Sequence, residues 1–80
     1  MASEDELTVM SIMDRCTKRK KILEGISYIS SEIEYTIKDN DNLFENISHY
    51  FNNHEPIPDD LLVENNLLNY KVSRLVNLFG

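Results

Sequence analysis

Five isoleucines constrain this chain more than any other feature. Ile22, Ile26, Ile29, Ile33 and Ile37 recur at steps of four, three, four and four. That spacing puts all five on one stripe of an α-helix. Leu23 widens the stripe, and Tyr28 and Tyr35 flank it. A strand would need alternation with a period of two, which this stretch lacks.

Composition narrows the fold further. Eighty residues make one domain at most, near the lower size at which a lone core stabilises a fold. Hydrophobic residues are 41% of the chain, enough for a core and too many for a disordered tail. Two glycines and two prolines supply too few turns for an all-β fold. The expectation is an all-α fold: a helical hairpin or small three-helix bundle with a long N-terminal helix and an antiparallel C-terminal helix.

The first helix should start near Glu4. Ser3 and Glu6 match a capping box, and Glu4, Asp5 and Glu6 set negative charge at the positive end of the helix dipole. Val9, Ile12, Cys16, Leu23, Ile26, Ile33 and Ile37 then approximate a heptad seam, interrupted at Arg19 and Ser30. Gly25 costs roughly 1 kcal/mol against alanine inside a helix. Apolar residues stay in phase on both sides of it, so the pattern predicts one helix over 4–38. The Lys38-Asp39-Asn40-Asp41-Asn42 run is poor in helix formers and predicts a break or kink, with Asn42 and Glu45 resembling a second capping box.

A second helical segment is expected over 42–52 and a turn over 53–58. Pro56 and Pro58 stop any helix there. The last helix, over 59–79, carries Leu61, Leu68, Val72, Leu75 and Phe79 on one stripe, with Leu62, Leu67, Val76 and Leu78 broadening it and Asn65 as a polar interruption.

These lengths carry a functional expectation. A helix over 4–38 would run roughly 52 Å, and a final helix of some twenty residues only about 30 Å. The last helix could not then cover the first from Leu7 to Ile29. The outward, partner-binding face is expected at Leu7, Met10, Ile12, Met13 and Cys16, with Arg19 and Lys20 at its rim. Exposed apolar stripes of that size usually mark an interface.

The residues of chemistry are sparse. Glu45 and His49 are one turn apart and lack a third ligand at familiar spacing, so no metal is expected. Cys16 lies between Arg15 and Lys18 without a recognisable base, and a free cysteine on a seam behaves as a small hydrophobe. No carboxylate pair or phosphate-binding glycine loop stands out. No catalytic residue, cofactor or enzymatic activity is expected.

Net charge of −6 argues against coating nucleic acid or an anionic membrane. Five of the eight basic residues cluster between Arg15 and Lys21. The run Lys18-Arg19-Lys20-Lys21 could serve as a nuclear-import patch; the plainer reading is a solvated face with Asp14–Lys18 and Lys20–Glu24 pairs. A single cysteine and an acidic N-terminus point to an intracellular, cytoplasmic setting.

The function expected is a non-enzymatic helical module, a small subunit, adaptor or chaperone binding a protein partner or further copies of itself. The layout around the Pro turn, from Pro56 to Phe79, resembles the small needle and needle-chaperone proteins of bacterial type III secretion. That resemblance rests on arrangement without a shared motif, and it implies a self-assembling helical hairpin as the alternative. A small acidic viral or phage inhibitor of a host protein is a further alternative.

Overall fold

A computed structural model describes the backbone of residues 4–28 and 30–80, with side chains from Thr8 onward except Ile29. The Ser3–Glu6 capping box, the Leu7 side chain and Ile29 lie outside the described residues. Three helices make up the fold: α1 (Glu4–Glu24), α2 (Ser31–Asn52) and α3 (Asp59–Phe79). No strand occurs among the described residues, and each helix contacts both of the others. The chain is all-α. At 21 or 22 residues each, the helices run roughly 32 Å.

The first helix is shorter than the pattern predicts. It ends at Glu24, where the Gly25 N–H is shared between the Lys21 and Ile22 carbonyls at 3.0 and 3.2 Å. Ile26 N–H then reaches back to Leu23 O at 3.3 Å, the tightening of a finishing turn. The next helix is announced by Ser30, extended at φ −141°, ψ 157°, whose Oγ accepts from Ile33 N–H at 3.2 Å. Ser30, an interruption in the seam, is therefore an N-cap. The isoleucine stripe straddles two helices: Ile22 is exposed, Ile26 and Ile37 are half-buried, and Ile33 is buried.

The second correction is at Lys38–Asn42, which stays helical throughout. Its side chains are tied to the neighbouring helices instead of to the local backbone. Asp39 lies 3.9 Å from Lys71 on α3, Asp41 lies 3.4 Å from Lys20 on α1, and Asn40 is buried against α1. Those cross-helix partners offset the weak helix propensity of the run.

The close of α2 follows the expectation of a stop before the prolines. Asn53 N–H bonds to His49 O, His54 N–H to Phe51 O at 3.2 Å, and Glu55 N–H to Tyr50 O at 3.0 Å. The last two bonds make a Schellman motif, and His54 occupies its left-handed position at φ 54°. Glycine would sit there without steric cost, so His54 carries backbone strain. Pro58 then stands in extended conformation ahead of α3, with Asp59 and Asp60 in the first turn.

The buried residues form two clusters. One joins Val9, Ile12 and Cys16 of α1 to Leu43 and Ile47 of α2 and Leu68 of α3. The other joins Leu23, Ile33, Val72 and Leu75. Beyond the second cluster, Tyr28 stacks on Phe79 with centroids 4.7 Å apart, tying the α1–α2 connection to the end of α3.

Candidate functional site

Between the two apolar clusters lies a polar layer centred on Arg19, whose side chain reaches into the core and leaves the residue 3% exposed. Its Nε donates to Asn40 Oδ1 at 2.8 Å, and Nη1 donates to Asn65 Oδ1 at 2.8 Å and Asn69 Oδ1 at 2.7 Å. Nη2 faces Cys16 Sγ at 3.1 Å, and Asn40 Nδ2 donates to the Cys16 carbonyl at 2.9 Å. One cation thus binds all three helices. No carboxylate forms an ion pair with it among the described residues; neutral amide oxygens do the solvating. Guanidinium, more weakly hydrated than ammonium and planar, is the cation for which this is least costly.

The interruptions in the α1 and α3 stripes, Arg19 and Asn65, are therefore one feature seen from two helices. Burial lowers the Arg19 pKa and the Cys16 sulfur opposes that shift. Burial likewise pushes the Cys16 thiol up, against the pull of the Arg19 charge. Cys16 is a free thiol held in a buried position, and burial favours its protonated form. Arg19 can meet its three asparagines only when the helices stand in one alignment.

The residues expected to face a partner are divided by the structure. Met10 and Lys20 are exposed and Met13 is half-buried. Ile12, Cys16 and Arg19 are buried, which corrects their assignment to an outward face. The cause is the break at Gly25–Ser30: with α1 ended at Glu24, α2 and α3 both pack along it and no uncovered half of a long helix remains. The basic run is affected too, because Arg19 points inward while Lys18 pairs with Asp14 at 3.1 Å and Lys20 with Asp41.

Surplus apolar surface sits elsewhere, on α3. Val63, Leu67, Tyr70 and Leu78 are 53–70% exposed. With Arg74 they follow steps of four, three, four and four, so they share one stripe on the side of α3 away from Leu68, Val72 and Leu75. Leu67 and Leu78, expected to broaden the core face, belong instead to this outer stripe. The signal was present in the sequence as a second helical period, hidden because the two stripes interleave. α3 is apolar on two sides.

Shallow grooves flank the helices. One of about 250 Å³ between α2 and α3 is lined by Tyr35, Asp39, Lys71 and Arg74, beside the outer stripe. Another of about 500 Å³ between α1 and α3 is polar and open, lined by Ser11, Arg15, Lys18 and Ser73 among others. Among the described residues no group of three metal-ligating side chains comes together, and no helix is long and apolar enough to cross a membrane. No family model matches this chain, and neither the curated proteins nor the solved structures contain a match to it.

Proposed function

We propose that this chain is a non-enzymatic helical interaction module, a small three-helix bundle with antiparallel neighbours that binds protein through the outer face of α3. The observation carrying this reading is the stripe of Val63, Leu67, Tyr70 and Leu78. Four large side chains, each more than half exposed, stand along one line, and exposed apolar patches on soluble proteins mark interfaces. Burying a side chain of this kind stabilises a complex by roughly 1.5–3 kcal/mol when it is fully removed from water. The rim is charged, with Asp60 and Glu64 towards one end and Lys71 and Arg74 towards the other, in keeping with helix-face recognition. The reading includes an intracellular setting, in keeping with a lone buried thiol.

The test is capture by the tagged protein in its source cells, compared with Leu67→Glu. The reading expects a chain, whether this one or another, that is retained by the wild type and lost with the variant. Retention unchanged by Leu67→Glu, or no specific retention at all, removes it.

A further inference from the structure

We propose that the occupant of the α3 outer stripe is a second copy of this chain, packed with its α3 antiparallel to the first about a two-fold axis near Leu67; the proposal rests on the interaction reading above and names its partner. Charge is laid unevenly along the stripe. Asp59, Asp60 and Glu64 occupy the N-terminal half of α3, and Lys71 and Arg74 the C-terminal half. The helix dipole accounts for Asp59 and Asp60, which lie in the first turn. It does not account for Glu64, Lys71 or Arg74, because its influence fades within one turn of either end.

Nor are these charges explained by partners inside the chain. Asp60, Glu64 and Arg74 form no ion pair among the described residues, and Lys71 has only a loose, half-exposed contact with Asp39 at 3.9 Å. Within α3 the like charges even repel: Asp60 and Glu64 are four apart, and Lys71 and Arg74 three apart. An antiparallel copy resolves both repulsions. In a two-fold arrangement each contact occurs twice, so Asp60 and Glu64 of each copy lie across from Lys71 and Arg74 of the other. The same alignment sets Leu67 against Leu67 and brings Val63 near Tyr70, while the aliphatic stem of Arg74 lies on the seam. A parallel pairing would set acid on acid and base on base, which is unfavourable.

The facing stretch of α3, from Asp60 to Arg74, spans roughly 21 Å, so the interface is small and its affinity is expected on the order of 1–100 µM. Sedimentation equilibrium of the purified full chain tests it. Wild type should pass from monomer to dimer as loading rises, and Leu67→Glu should raise the dissociation constant more than roughly tenfold with the helical circular dichroism unchanged. Asp60→Arg and Arg74→Glu, which face each other across the two-fold axis, should each weaken the dimer by roughly fivefold, and the double variant should return to within about twofold of wild type.

Wild type that stays monomeric to about 500 µM overturns the proposal, as does a dimer indifferent to Leu67→Glu. A dimer lost with Leu67→Glu but unrescued by the charge swap overturns the antiparallel arrangement. If the pure protein is monomeric while capture in cells still depends on Leu67, the second copy is wrong and the interaction reading stands. If neither dimer nor Leu67-dependent capture is found, both fall.

Discussion

The two long sides of α3 differ in kind although both are apolar. The inner side, Leu68, Val72 and Leu75, is closed over by α1 and α2 and carries Asn65 and Asn69, which meet Arg19. The outer side has four large exposed side chains, Val63, Leu67, Tyr70 and Leu78, with acidic residues in its N-terminal half and basic ones in its C-terminal half. α1 offers the contrast. Its inner stripe is equally buried, but its far side is dominated by Asp14, Lys18 and Lys21, with Met10 among them. Of these two helices of equal length, α3 carries a second apolar face among the described residues. Inner positions should govern whether the chain folds, and outer positions what it meets.

Substitutions can break that division. The largest effect is expected at Arg19→Ala, which removes a long buried side chain and leaves the amide oxygens of Asn40, Asn65 and Asn69 without their donor. Loss of about 4–5 kcal/mol in urea unfolding is the expected outcome; a loss under about 1 kcal/mol would show that the layer is solvated and does not fasten the helices. Replacing Arg19, Asn40, Asn65 and Asn69 together by apolar residues of similar size should restore most of that stability. Leu68→Ala, on the inner side, should cost about 3 kcal/mol by the same measurement.

A smaller change of opposite sign is expected at the end of α2. His54→Gly relieves a left-handed residue and should raise stability by about 0.5–1 kcal/mol. A destabilised variant would mean that the His54 side chain holds the turn. On the outer side, Leu67→Ser should alter the stability of the monomer by less than about 0.5 kcal/mol while weakening association. If it unfolds the chain instead, the two sides of α3 are not separable and the comparison fails.

The thiol adds a pH dependence. Folding raises the Cys16 pKa above its ordinary value of 9.0, so the folded chain holds that proton more tightly than the unfolded one. The stability this contributes is full below the ordinary thiol range and is lost as pH rises through it towards the folded value. Measured against Cys16→Ala, wild type should lose stability more steeply above pH 9.0. Parallel pH curves for the two would remove Cys16 from the account.

Much of the helical layout was legible in the sequence. The stop before Pro56 and the final helix over 59–79 are where the sequence signals put them, because proline and helix-forming periods act through the local backbone. The middle was misread for a reason with a physical basis. Gly25 and Ser30 look like tolerated defects when the apolar period runs through them. The Asp39–Asn42 run looks like a break when its side chains are imagined bonding to nearby backbone. Cross-helix contacts reverse both: Asn40 finds Arg19 and the Cys16 carbonyl, twenty-one and twenty-four residues away. Ile12, Cys16 and Arg19 fall on the buried side as a consequence, since their exposure is inferred from the length of a helix that ends sooner.

By itself the sequence determined that this chain is helical and where its last helix lies, because both depend on signals along a single helix. Tertiary structure decided which of two interleaved stripes on α3 faces inward, that Arg19 belongs to the interior, and where the first turn falls. Those outcomes depend on which distant group satisfies a buried donor or covers an apolar face, and nothing in the local period specifies that.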